Sequence, residues 1–426
     1  MDPQSRRHRS GHRYPRTALW VGAGLALAAV AWMVIGVPTF VKYPTDVDAS
    51  PRYEGDFRAF VDFSMVPLDQ PMEMPLTIDR HIEAIGNESG SSHVLVRETI
   101  AQKAGDLVDT TQTNEYVMDR STLQNVADDR AFAFDEGNVV DRAGAYRLNL
   151  PFDTSRDETY EIYKNEIDAT YMMAADTETP TSDIEGLELS NFTASVDEAP
   201  LSDAYLAELN DVVTLPESLT LDELKPQLLA AGIDVDAVVT ALTPVLTPED
   251  AATLSEFASQ PIPIDYVLTF DGTAAVEPVT GVEVSVANVE TVGARPMLTS
   301  LPALQEVLSH YPDVPEAVAA SAAADDLATA PATQLFQFDY AQTPASVADI
   351  ADEARSMRRQ VLAARVWLPL ALVAGAVLSL AVGALVFLRR GHAAHAKPAR
   401  PAGSPPRRSP GTSSGGLGTY PGRSPA

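Results

Sequence analysis

The sequence predicts an α+β protein: a β-rich antiparallel ectodomain with helical insertions, tethered by one transmembrane helix at each end. Three observations carry this expectation. Uncharged apolar runs occupy 17–37 and 366–388, just inside the two termini. Between them, short β-branched stretches alternate with period two and are separated by turn residues. Twice, near 202–259 and 300–327, that period gives way to a helical one.

The elements follow in chain order. Residues 1–16 form a basic N-terminus, with Arg6, Arg7, Arg9, Arg13 and Arg16 against Asp2 alone. The run Thr17 to Val37 reaches about 31 Å as a helix, enough to cross a bilayer core. A cleaved signal peptide is the rival reading. Its apolar region would be about 7–15 residues, and Val37-Pro38-Thr39-Phe40 makes a poor cleavage site, so an uncleaved anchor is expected. The second run, Val366 to Leu388, is followed by Arg389, Arg390, Lys397, Arg400, Arg407, Arg408 and Arg423, with no acid. Basic flanks mark the cytoplasmic side. Both termini are therefore expected in the cytoplasm, with 38–365 outside the plasma membrane. Arg355, Arg358, Arg359 and Arg365 weaken the bias at the second span without changing that solution. Trp20, Trp32 and Trp367, the only tryptophans, lie in or at the ends of the spans. The tail 389–426 is rich in Pro, Gly, Ser and Arg and reads as disordered and cytoplasmic.

Charge separates the compartments further. The chain carries 30 Lys+Arg and 59 Asp+Glu, a formal charge of -29. Removing the basic ends leaves 18 basic and 58 acidic residues, or -40, in 38–365. That balance argues against nucleic acid, which needs a basic face. It reads as a solvated acidic surface, because the acids are spread out and form no calcium loop. The absence of cysteine excludes disulfides and thiolate chemistry.

Within the ectodomain, 38–79 is rich in Pro and Met and reads as an extended climb from the membrane. Val94–Ile100 and Thr110–Met118 are strands, with a turn at Ala104-Gly105-Asp106. Ala131-Phe132-Ala133-Phe134 and Val139 to Gly144 read as further strands, as do Tyr160–Met172 and Leu187–Val196. Helices start at Ser202, at the Thr220-Leu221-Asp222-Glu223 capping box, and at Thr247-Pro248. Ile264–Phe270 and Val282–Val289 form a hairpin about Glu277-Pro278-Val279-Thr280-Gly281, with Val282, Val284 and Val286 on one face. After helices broken by Pro312 and Pro315, Thr333–Tyr340 is the last strand. Thr343-Pro344 then opens a helix that runs toward the second span.

Nothing here reads as an active site. Only His81, His93 and His310 lie outside the ends, and none has a second histidine at helical spacing, so neither metal nor cofactor is expected. No phosphate-cradling G-x-x-x-x-G-K occurs. The spans carry no charge or polar stripe and by themselves offer no ion path.

The order of motifs between the spans resembles the actinobacterial envelope proteins of largely unknown function labelled PorA-type porins. The resemblance rests on Val140-Asp141-Arg142-Ala143-Gly144, Asn149-Leu150-Pro151-Phe152, Tyr160, Val276-Glu277-Pro278-Val279-Thr280-Gly281 and Leu368-Pro369. Ala274-Ala275 stand where a bulky aromatic is expected before the last turn, marking a divergent member. The motif positions Asp141, Arg142, Gly144, Pro151, Phe152, Tyr160, Glu277, Pro278 and Gly281 read as structural rather than catalytic.

The expected function is a non-enzymatic, two-span envelope protein that binds or passes an envelope component such as a lipid. The sheet's curved face would supply the site. Its partners would be the bilayer, an envelope lipid or a membrane protein. The alternatives are an oligomeric porin or channel component and an envelope scaffold.

Overall fold

The computed structural model describes residues 14–395, apart from 63–66, 87, 135, 231, 298–300 and 329. Arg6 to Arg13 of the basic N-terminus and the tail 396–426 lie outside the described residues.

The chain divides into two compact units. The first takes its described residues from the apolar parts of α1 (Tyr14–Ala31) and of the last helix (Leu368–His395). Two helical stretches, Thr17–Phe40 and Pro344–Arg389, are long and apolar enough to cross a membrane, with mean hydropathy of 2.1 and 2.6 in their most apolar windows. Only 11% of each window is buried, unlike a core helix of a soluble domain. The two helices approach through small residues. A methyl on Gly22 would meet Leu380 Cγ at 2.7 Å and the Ala376 carbonyl at 3.1 Å, and Gly375 faces Leu25. Small residues at such contacts let backbones come close where no hydrophobic effect drives association. The last helix continues to His395, into a segment expected to be unstructured.

The second unit, 30–369, is built on one antiparallel sheet. After a π-turn (Trp32–Gly36) and the short α2 (Val37–Phe40) come β1 (Asp48–Ala49), β2 (Arg52–Val61), β3 (Pro67–Ala84), β4 (His93–Ala104) and β5 (Val108–Asp119). Next follow β6 (Tyr160–Lys164), β7 (Ala169–Ala175), β8 (Thr181–Ile184) and β9 (Leu187–Pro200). The first insertion comprises α3 (Asp203–Val212), β10 (Ser218–Leu219), α4 (Leu221–Ala230), α5 (Val235–Leu242) and α6 (Pro248–Ser259). The hairpin β11 (Ile262–Val276) and β12 (Glu283–Pro296) leads into the second, α7 (Leu301–Ser309) and α8 (Pro315–Ala328). The unit closes with β13 (Thr333–Gln342) and α9 (Pro344–Leu362), joined through a second π-turn (Ala363–Trp367) to α10 (Leu368–His395). Spatial order is β5-β4-β3-β2-β13-β12-β11-β9-β7-β6, curved into a half-barrel.

Four sequence expectations change. The supposed climb at 38–79 contains the central strand β2 and most of β3. Its prolines mislead because Pro71 and Pro75 precede Leu76, where pairing to β4 begins. That half of β3 is paired to β2 alone, and proline is tolerated where no second ladder needs its N–H. Ala131–Phe134 and Val139–Gly144 are not strands. They form a strap whose Phe132 bridges Glu115 at one sheet edge, while Tyr146 bridges Ile162 at the other. Their burial comes from covering the seam, not from a ladder: Ala131, Ala133 and Val140 are 3%, 1% and 8% exposed. Tyr160–Met172 is two strands, split by a 3-10 turn with Asp168 at φ 48°. Finally, Val282, Val284 and Val286 do not share a face. Ala275 pairs with Ser285 and Val276 with Glu283, so Val284 is the extra residue of a β-bulge. It packs with Ala351 and Ala354 of α9, whereas Val286 joins the main core.

The helix starts read from the sequence are made as expected. Ser202, Thr247 and Thr343 side chains accept the N–H groups of Tyr205, Asp250 and Ser346. Thr220 and Glu223 close a reciprocal capping box at 2.8 and 3.3 Å. The two insertions come together as a helical lobe around Leu242, Val307, Leu308 and Ala317.

Candidate functional site

The family-motif residues form two knots. At the sheet seam, Asp141 accepts the Ala143 N–H and makes a turn, and Gly144 at φ 87° returns the chain. Arg142, 2% exposed, then donates to Asn165 Oδ1, the Glu115 carbonyl and the Phe132 carbonyl at 2.9–3.0 Å. Its guanidinium lies over the rings of Tyr116 and Tyr163, 4.5 and 5.4 Å from their centroids. One side chain thereby ties strap, β5 and β6. In the second knot, Glu277 is fully buried and accepts the N–H and hydroxyl of Thr280 at 2.8 Å. Its other oxygen lies 3.5 Å from Arg358. Pro278 starts the turn, and Gly281, at φ 74°, packs directly on Leu150 and Pro151. Leu150 donates its N–H to the Gly281 carbonyl. Phe152 packs beside Tyr43 and Leu148 and carries Arg365 over its ring, while Tyr160 exchanges hydrogen bonds with the Ser155 backbone. The two motif groups are therefore brought together in separate structural clusters.

The concave side of the sheet was expected to be apolar. It instead holds a charged chamber of about 130 Å³. Glu98, fully buried, pairs with Arg80, accepts from Tyr116 at 2.6 Å and from Asn114 at 3.3 Å, and lies 3.9 Å from Arg147. Burial would raise its pKa, but Arg80 and Arg147 overcome it and hold the carboxyl down to about 2. Burial beside Glu98 pushes the Tyr116 phenol up to about 12. Opposite, Lys164 bridges Glu290 at 3.1 Å and Glu166 at 3.4 Å, and Tyr340 donates to Glu290 at 2.7 Å. Glu283 also lines the chamber, on the strand bulged at Val284. Burial lifts its pKa to about 7 against the pull of Arg80 and Arg147.

Sequence reasoning missed this network, although its signal was present. Each charged member occupies an inward position of a period-two strand: Arg80 follows Leu76 and Ile78, Glu98 follows Val94 and Val96, and Lys164 follows Tyr160 and Ile162. Glu290 likewise stands between Val286 and Val292.

A second cavity, of about 110 Å³, lies in the helical lobe and is lined by apolar side chains alone, from Leu221 on α4 to Ala324 on α8. A dry apolar cavity of about 150 Å³ is large enough to bind benzene, which sets the scale for this one. Val239 of α5 lines it and is 52% exposed. The apolar volume of the candidate site thus sits in the insertions rather than on the sheet. Among the described residues no cluster of His, Asp and Glu has metal-holding geometry.

No curated protein matches the chain in sequence. The family described as Porin PorA matches residues 15–385, spanning the candidate membrane helices, the half-barrel and both helical insertions. The chain belongs to the PorA porin family.

Proposed function

We propose that this chain is a non-enzymatic, two-span envelope protein, with both termini cytoplasmic. Its extracytoplasmic unit holds the apolar part of an envelope component, such as an acyl chain end. The observation that carries this reading is the all-apolar lobe cavity, whose lining includes the half-exposed Val239. The sheet supports it as a rigid base, since a chamber crossed by ion pairs does not favour an apolar guest. Ala320 and Ala324 leave the space that a chain end would occupy.

Native mass spectrometry of the full-length protein in detergent, titrated with a medium-chain fatty acid, tests this. One adduct is expected for the wild type, weakened at least about tenfold in Ala320→Leu by the loss of cavity volume. Equal binding by both proteins, or none by either, overturns the lobe as the site.

The family's name favours a second reading, an oligomeric channel. The half-barrel core is filled by residues such as Phe57, Phe192, Leu268 and Phe270, so a channel would run between copies. Conductance steps from full-length protein in planar bilayers would establish it, and silence at every oligomeric state would remove it.

A further inference from the structure

A larger groove, about 590 Å³, lies elsewhere in the second unit and is not part of the sheet chamber or the lobe. It falls within the roughly 300–1,000 Å³ typical of small-molecule sites. Its walls come from the chain just after one apolar helix and just before the other: Trp32 to Pro44 on one side, Glu353 to Leu368 on the other.

Both walls are interrupted by five-residue π-turns, Trp32–Gly36 and Ala363–Trp367. Such turns free backbone groups and recur at functional sites. Here the two are joined, because Trp32 Nε1 donates to the Ala364 carbonyl at 2.8 Å. The indole is held from two further sides. It stacks on Phe40 with centroids 5.0 Å apart, and Gly36 lies so close beneath that a methyl there would meet the ring at 2.6 Å. The apolar end of the groove is therefore preorganised.

Polarity changes along the second wall. Glu353, Ser356 and Gln360 line the groove first, then Val361, Ala364 and Leu368, approaching the apolar run. The two ionisable groups are Lys42 and Glu353. Lys42 uses one of its three donors on the Ser91 carbonyl at 2.8 Å, leaving two. Glu353 makes no hydrogen bond or ion pair among the described residues. One ammonium and one carboxylate at the polar end, with aromatic and aliphatic side chains at the other, match a zwitterionic amphiphile.

We propose that this groove seats one bilayer glycerophospholipid whose head carries a phosphate and a primary ammonium. Lys42 meets the phosphate, Glu353 meets the ammonium, and the chains run along Trp32, Phe40 and Leu368. A head without the ammonium leaves Glu353 facing a phosphate, which costs affinity. The proposal rests on the two-span reading of the chain and not on the lobe cavity.

The test uses full-length protein. Membranes are first washed with alkaline carbonate, and release of the chain overturns the two-span reading itself. Retained protein is delipidated in detergent and titrated, by native mass spectrometry, with short-chain phosphatidylethanolamine and phosphatidylglycerol. We expect the ethanolamine lipid to bind about fivefold more tightly, as one partly exposed charge pair allows. Glu353→Gln is expected to abolish that preference, and Lys42→Gln to weaken both lipids severalfold. Retention in the membrane combined with equal binding of the two lipids, or a preference unchanged in Glu353→Gln, overturns the groove assignment alone.

Discussion

The half-barrel and the helical lobe solve the problem of an interior in opposite ways. The sheet closes around charge: Glu98 lies between two guanidinium groups and accepts from Tyr116 and Asn114, and Lys164 lies between two carboxylates, of which Glu290 also accepts from Tyr340. The paired groups depend on one another, so their geometry is fixed by directional contacts with little tolerance. The lobe cavity is lined by Leu, Val, Ile, Ala and Phe side chains alone. The contrast teaches that chemistry is divided between the two regions: the sheet surrounds charge, and the insertions hold the apolar space.

The largest test of that division is Glu98→Gln. Removing the carboxylate leaves Arg80 and Arg147 buried without their counter-charge, and a loss of about 4 kcal/mol is expected in urea unfolding at pH 7. The wild type adds a pH signature. The folded value of about 2 lies below the ordinary carboxyl value. The stabilisation from Glu98 is thus complete above the unfolded pKa and drains away as pH falls toward 2, and the variant should lack that acid-side slope.

Gly281→Ala comes next. The backbone there is left-handed, and a methyl would overlap the Leu150 carbonyl. About 3 kcal/mol is expected, against about 1 kcal/mol for Gly144→Ala, whose positive φ opens onto free space. Similar losses at the two sites would mean that the hairpin turn does not anchor the frame.

Glu283→Gln should have the opposite sign. A carboxyl raised to about 7 is favourable to the fold while protonated, and its contribution is lost as pH rises through the folded value. At pH 8 the amide should stabilise the protein by about 2 kcal/mol, and at pH 4 the difference should vanish. The smallest effect is expected from Ala320→Leu in the lobe, under about 1 kcal/mol, because the added methyl groups enter existing space. A loss as large as that in the sheet would erase the distinction between the two regions.

Local chemistry explains what was readable in advance. Ser202, Thr220, Thr247 and Thr343 announce helices because a cap is satisfied within three residues. Glu277 to Gly281 announces a hairpin for the same reason. The strap at 131–144 was misread because alternating small and aromatic residues look alike whether they meet a ladder or cover a seam. The inward charged positions were legible, but not all of their pairings were, because partners such as Lys164 and Glu290 lie far apart in sequence.

By itself, then, the sequence determined the two apolar helices, the period of most strands, the capped helix starts and the acidic balance of the central region, all of which depend on neighbours along the chain. Tertiary structure alone decided that β2 is central, that the bulge at Val284 leaves Glu283 lining the chamber, and that two insertions share one apolar cavity. Those outcomes depend on which distant strands pair and how the sheet curves, and free energies of that kind are set by contacts that no local window contains.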